Sequence, residues 1–216
     1  MSKIEHHTLN DRAYSEIRKG LIASRFRPGQ VLVIRSLAET YGISTTPVRE
    51  ALQRLVAERL LIVLPNRSIA VPGLSVEKFT ELVRIRCALE GLAAELAVAG
   101  IKPAHIDKLK ALLGDIDKAA ANRDSRGYVN LNQKFHFIIY ERANSPHLLQ
   151  MVQDLWSQVG PFFNGLFDDE SFIAHANEQH VRIVEALEAG NAAEVRRAIV
   201  KDISVAAEAL TPRLSA

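Results

Sequence analysis

Every strand signal in this chain lies before Pro72-Gly73, and every periodic apolar run beyond that dipeptide has helical spacing. That asymmetry predicts a small mixed unit over residues 1–74 and an all-helical body over residues 75–216. In the first unit, Ala13, Ile17, Leu21 and Ile22 recur at helical intervals between Asp11 and Arg25, until Arg27-Pro28-Gly29 stops the helix. A second helix is expected from Ser36 to Tyr41, closed by Gly42. Ile43-Ser44-Thr45-Thr46-Pro47 then opens a third, with Pro47 in its first turn and Ala51, Leu52, Leu55 and Val56 on its apolar face. Two strand-like runs, Leu61–Leu64 and Ser68–Val71, flank Pro65-Asn66-Arg67 and read as a β-hairpin.

The second unit reads as six helices near 76–99, 103–121, 125–143, 146–160, 171–189 and 192–210. They are separated at Gly100, Arg123-Asp124, Asn144-Ser145-Pro146, Gly165 and Gly190-Asn191. Helices of this length pack as a bundle, and bundles place ligand sites among their inward side chains. The fold class is therefore mostly α.

Charge is divided along the same line. Residues 1–74 hold eleven Lys and Arg against six Asp and Glu, a surplus of five, whereas residues 75–216 hold sixteen against nineteen, a deficit of three. A small basic unit fits a polyanionic partner such as nucleic acid. Cys87 is the sole cysteine, which excludes an internal disulfide and a cysteine metal cluster. No apolar leader follows Lys3, and no run approaches the ~20 apolar residues of a membrane span. These features predict a cytoplasmic protein without membrane association. His6 and His7 lie in a polar leader and read as a tail rather than a ligand pair.

Three helices, a short turn between the second and third, and a hairpin wing make a winged helix-turn-helix. In that motif the second helix of the pair enters the major groove of double-stranded DNA while neighbouring groups grip phosphates. Arg49, near the front of the recognition helix, suits a bidentate contact to guanine. Ser44, Thr45 and Thr46 offer hydroxyls and amides at the helix start. The alternative reading makes Arg49 and Arg35 ordinary solvated charges.

In the helical body, several polar residues fall on faces that periodicity assigns to the core. Asn132 and His136 share a stripe with Val129 and Ile139, His180 shares one with Ile183, Val184 and Leu187, and Asp202 lies among Ile199, Val205 and Ala206. Burying such groups unpaired costs several kcal/mol, so four of them from three helices predict a shared site. Imidazoles with a carboxylate suit zinc, nickel or manganese. A metal-free hydrogen-bonded network, in which Asp202 holds His136 or His180, is the competing reading.

The string Arg35-Ser36-Leu37-Ala38-Glu39, followed by Ile43-Ser44-Thr45-Thr46-Pro47-Val48-Arg49-Glu50-Ala51-Leu52, resembles the DNA-binding signature of the GntR family, as do Pro28-Gly29 and the wing at Asn66-Arg67. The resemblance implies that Arg35, Thr46 and Arg49 contact DNA, with Asn66 and Arg67 at the wing near the minor groove. Thr45 stands where the family usually has Arg, which implies a different base preference. Residues 75–216 resemble the FCD effector domain of the FadR subfamily, in a length close to its VanR-type variant, through Arg86-x-x-Leu89-Glu90, Asn132-x-x-x-His136 and Glu178-Gln179-His180-x-x-Ile183. Metal-binding members have Asp and His in the first pair, His in the second motif and a third His in the last helix. Here Asn132 and Asp202 take the first and last places, so the carboxylate has changed sides. The resemblance further implies that Arg86 clamps an organic-acid effector.

Together these features predict a homodimeric transcription regulator of the repressor kind. It would bind a pseudo-palindromic operator and respond to a small carboxylate metabolite through a metal-containing pocket. Two alternatives stand beside it: a ligand-independent DNA-binding protein, and a helical metalloenzyme with a DNA-binding appendage in which His136, His180 and Asp202 activate a water.

Overall fold

The computed structural model describes residues 8–175 and 177–214, so His6 and His7 lie outside the described residues. The chain begins with α1 (Leu9–Ile22), nucleated by a reciprocal cap: the Thr8 hydroxyl accepts from the Asp11 N–H, and the Asp11 carboxylate accepts from the Thr8 N–H. Helix α2 (Ile34–Tyr41) ends at Gly42, whose φ of 65° and ψ of 34° are the left-handed conformation that a residue without Cβ adopts most readily. Helix α3 (Thr45–Ala57) follows and buries Val48, Ala51, Leu52 and Leu55 against Ala13, Ile17 and Leu21 of α1.

The hairpin is shorter than its apolar runs predict. Strands β1 (Ile62–Val63) and β2 (Ile69–Ala70) are antiparallel, pairing Ile62 with Ala70 and Val63 with Ile69. The outer residues bond elsewhere: the Val71 N–H donates to the Gln30 carbonyl and its carbonyl accepts from Gly29, both at 3.0 Å, while Leu61 turns into the core. The wing is thereby stitched to the loop between α1 and α2.

Beyond Pro72-Gly73 come α4 (Val76–Ala97), α5 (Pro103–Ala121), α6 (Ser125–Tyr140), α7 (Pro146–Val159), α8 (Glu170–His175), α9 (Glu178–Glu188) and α10 (Ala192–Leu210). Residues 160–168 form an extended run of 3-10 turns that contains the break expected at Gly165. Among the described residues the bundle has seven α-helices rather than six, because the helix expected over 171–189 divides before Glu178. Asn177 causes the division. Its amide nitrogen donates to the Leu113 carbonyl and to Asp117, each at 2.9 Å, and its backbone sits at φ −110°, ψ −5°. Bonding a buried amide to α5 takes precedence over continuing the helix.

The two units have separate hydrophobic cores, but their surfaces meet. Ile22 from α1 and Leu74 from the connection pack into the core of the helical body. Helix α1 lies along α7, Arg18 pairs with Asp154, and the Ser24 hydroxyl donates to the Gly160 carbonyl. Asn164 Nδ2 donates to the Ser24 carbonyl at 2.9 Å. Gly160 is helical (φ −50°, ψ −43°), so its backbone does not need glycine; the contact does. A Cβ there would stand 2.7 Å from the Ile22 carbonyl oxygen and 2.9 Å from Ile22 Cα, and closer still to the Leu21 carbonyl oxygen. No helix among the described residues is long and apolar enough to cross a membrane.

Candidate functional site

Two surfaces carry chemistry. On the N-terminal unit, Arg35, Ser44, Thr45, Thr46, Arg49, Asn66 and Arg67 are all exposed. Ser44 is the N-cap residue of α3, yet its hydroxyl makes no cap bond and stays available. At the wing tip, Arg67 has φ 64°; its N–H donates to the Leu64 carbonyl, and Asn66 Oδ1 accepts from the Ser68 N–H at 3.0 Å. The turn aims both side chains outward. Arg35, Arg49 and Arg67 have no acidic partner among the described residues, whereas Arg54 on the same helix as Arg49 is paired with Glu58 at 3.1 Å and lies 3.8 Å from the Tyr14 ring centroid. The scaffold arginine is paired, and the outward ones are free to meet an anion.

Inside the helical body, α6, α9 and α10 bring predicted polar residues together beside one cavity. His136 Nε2 is 3.3 Å from His180 Nε2 and 3.3 Å from Asp202 Oδ2; His180 Nε2 is 3.5 Å from Asp202 Oδ1. Both imidazoles are buried, and the Asp202 side chain is 18% exposed. Asn132, half-buried one turn before His136, lines the same cavity, whose walls include Tyr128, Trp156, Phe163, Leu166 and Phe172. Its volume is about 30 Å³, room for one ion or one water.

The outer nitrogens of the two histidines fix their tautomers. The Tyr140 hydroxyl is 2.7 Å from Glu90 Oε2 and 3.3 Å from His136 Nδ1. A phenol proton facing a carboxylate goes to it, so the phenol oxygen accepts from His136 Nδ1–H. Asn177 has both amide hydrogens committed to Leu113 and Asp117, so its Oδ1 accepts from His180 Nδ1–H at 2.9 Å. Both Nε2 lone pairs are thereby turned toward each other and toward Asp202. Gln179 Oε1, at the same cavity, is a buried acceptor without a donor among the described residues. Burial pushes the His180 pKa down to about 4, although Asp202 pulls it upward. Burial pushes the Asp202 carboxyl up, but His180, His136 and Arg86 together hold it below its ordinary value. The cluster is one of acceptors, and a shared proton on His180 is disfavoured.

Arg86 is neither a surface charge nor a free clamp. It is 5% exposed, its Nε donates to Glu90 Oε1 at 2.6 Å, and its Nη2 lies 3.4 Å from Glu90 Oε2. Burial would lower its pKa, but Glu90 more than compensates. Glu90 is fully buried and also accepts from Trp156 Nε1 at 2.8 Å and from Tyr140. Arg86 lines the cavity with the rest of its guanidinium and stacks near Trp156 and Phe163, at 5.2 Å and 5.5 Å. Glu90, Tyr140, Asn177 and Gln179 were not singled out by periodicity. A signal for Tyr140 existed in the i, i+4, i+8 stripe it forms with Asn132 and His136. Cys87, beside Arg86, is half-buried and its thiol pKa is raised by burial. His175 stands exposed at the cavity rim, whereas His147 is exposed and lies away from it.

Comparison with known proteins places both surfaces in context. Residues 9–71 match the bacterial regulatory proteins of the gntR family, and residues 81–204 match the FCD domain. The HTH-type transcriptional regulator McbR of Escherichia coli (strain K12) is 35% identical over 166 residues, 77% of this chain and 75% of its own. The HTH-type transcriptional repressor GlaR of the same organism is 31% identical over 147 residues, 66% of this chain and 67% of its own. The solved structure of E. coli McbR/YncC superposes with a TM-score of 0.84 at 31% identity, covering 92% of this chain and 95% of that one. These relatives are transcription regulators rather than enzymes, which removes the metalloenzyme alternative.

Proposed function

The chain belongs to the gntR family of bacterial regulatory proteins, and from that premise we propose that it is a homodimeric repressor whose grip on a pseudo-palindromic operator is set by a small carboxylate metabolite at a metal-centred pocket. The observation that carries the reading is the convergence of His136 Nε2, His180 Nε2 and Asp202 within 3.5 Å of one another. Lone pairs so arranged repel one another until a cation separates them, and imidazole with carboxylate is the ligand set of zinc, nickel or manganese. Asn132 and Gln179 offer further oxygens at the same cavity. Bound there, the metal supplies a Lewis-acidic anchor for the effector's carboxylate. The uncommitted edge of Arg86 is the complementary donor.

A cavity of about 30 Å³ cannot admit an organic acid unless its walls move. Phe163 and Leu166 form part of those walls, and they belong to the 160–168 segment that also seats α1 through Gly160 and Asn164. Effector entry and the posture of the DNA-binding unit are thus mechanically linked. A coupling of about 1–3 kcal/mol, a 5- to 150-fold change in operator affinity, is the ordinary scale of such linkage. Arg35, Thr46 and Arg49 reach the major groove in this reading, with Ser44 and Thr45 at the helix start and Asn66 and Arg67 at the wing. The repressor sense follows GlaR, one of several relatives named as repressors.

The test is to select duplexes from a random pool with the metal-loaded protein and titrate the winner by fluorescence anisotropy with a panel of mono- and dicarboxylates. The proposal expects a two-fold symmetric site bound by two subunits and at least one acid that weakens binding several-fold. A winner without two-fold symmetry, or affinity indifferent to every acid, would overturn it.

A further inference from the structure

Where the loop after α1 meets the helical body, a cleft of about 660 Å³ opens on the opposite side of the 160–168 segment from the buried cavity. It is lined by Arg25 and Arg27 from the N-terminal unit and by Arg126 and Arg213 from the helical body, with Ser24 and Asn164 among the polar groups between them. No acidic side chain is among its lining residues that are described. Arg213 already bonds the Ala209 carbonyl and lies 3.8 Å from Asp169. Arg25, Arg27 and Arg126 make no ion pair or side-chain hydrogen bond among the described residues. Asp124, two residues from Arg126, is turned away to cap α6, accepting from the Gly127 N–H at 2.9 Å.

Some exposed arginines elsewhere on this chain are paired, Arg54 with Glu58, Arg196 with Glu95 and Arg197 with Glu194, whereas Arg35, Arg49 and Arg67 stand unpaired on the open surface of the N-terminal unit. The cleft is different because docking α1 against α7 gathers like charges from two units into one concavity. Like charges so gathered oppose the docking unless an anion sits among them. Guanidinium groups take carboxylate and phosphate oxygens in bidentate fashion, and several around one cleft favour the more highly charged phosphate. The volume falls in the range of small-molecule sites, unlike the buried cavity, which has room for a single ion or water.

We propose that this cleft is a second ligand site, for a small anion of the phosphate-ester or diphosphate type, bridged by Arg25 and Arg27 on one unit and Arg126 on the other. Binding there clamps the N-terminal unit onto the 160–168 segment and gives the regulator an input separate from the histidine–aspartate pocket. The same phosphate chemistry is offered by the DNA backbone, and the experiment separates the two sources.

Pyrophosphate is titrated into the full-length protein without DNA by isothermal calorimetry at fixed ionic strength, against Arg126→Ala and Arg27→Ala; both positions are exposed, and circular dichroism verifies the fold. Binding of pyrophosphate by the wild type, weakened about tenfold or more in each variant, is the expected result. Arg197→Ala, at an exposed arginine outside the cleft, should bind pyrophosphate as the wild type does. No heat with the wild type at millimolar pyrophosphate, or equal binding by all variants, would overturn the proposal. So would an Arg126→Ala variant that binds pyrophosphate normally but loses operator affinity with a shallower salt dependence, since the arginine would then serve the DNA backbone.

Discussion

Glu90→Gln isolates what holds the pocket wall together. The substitution preserves shape while removing the charge and one acceptor oxygen from a fully buried position that receives Arg86, Tyr140 and Trp156. Arg86 is left as a buried cation without a counter-charge, and the new amide NH₂ faces donors. Breaking a buried pair by removing one partner costs about 3–5 kcal/mol. For a chain of this length, each kcal/mol moves the melting temperature by roughly 2–4 °C, so a fall of roughly 6–20 °C is expected. Trp156 is the only tryptophan and donates directly to Glu90, so its fluorescence follows the melting of the helical body and its emission should shift in the folded variant. Adding Arg86→Met to Glu90→Gln should recover most of the loss, because the uncompensated charge is gone. A melting temperature within about 1 °C of wild type, or a double variant less stable than Glu90→Gln, would refute the assignment of Glu90 as the counter-ion that keeps Arg86 buried.

Three further outcomes follow from the geometry. Arg49→Ala should weaken operator binding by about 1–3 kcal/mol and relax base preference in each half-site, whereas Arg67→Ala should reduce the salt slope by about one with less effect on sequence; anisotropy at several salt concentrations distinguishes them. His180 stays neutral in the fold down to a pKa of about 4, against an ordinary value of 6.5. The unfolded chain therefore takes up a proton that the native protein refuses, and stability present above pH 6.5 is lost as pH falls toward 4. The full loss is ~3 kcal/mol, read from denaturant midpoints of the metal-free protein and absent in His180→Ala. Gly160→Ala forces α1 away from α7 at a cost of about 1–3 kcal/mol. Limited proteolysis between Val71 and Ser75 should then accelerate while Trp156 fluorescence stays unchanged.

The parts of this molecule that were legible in the sequence share a cause: a residue out of keeping with its helical face. Asn132, His136, His180 and Asp202 interrupt apolar stripes; the structure clusters His136, His180 and Asp202, and Asn132 lines the adjoining cavity. Gly42 and Pro47 punctuate the helix-turn-helix where the chain must change direction. Glu90 stayed hidden because an Arg and a Glu four apart on a helix look like an exposed ion pair, and only the burial of both reveals a structural one. Asn177 split a helix that periodicity ran through, since its bonding partners lie on α5 and no local pattern announces them. Gly160 falls at the end of an expected helix, whereas its place is dictated by the end of α1, whose Leu21 and Ile22 backbone it abuts. Local signals report faces and turns; contacts between distant elements leave no periodicity.

The most direct test of the central claim is metal content by plasma mass spectrometry on protein purified without chelator or nickel resin, alongside His136→Ala, His180→Ala and Asp202→Ala. The account predicts near-stoichiometric zinc, nickel or manganese in the wild type and its loss from all three variants. Wild-type protein that stays metal-free after incubation with each of the three ions, or variants that retain the full complement, would contradict it.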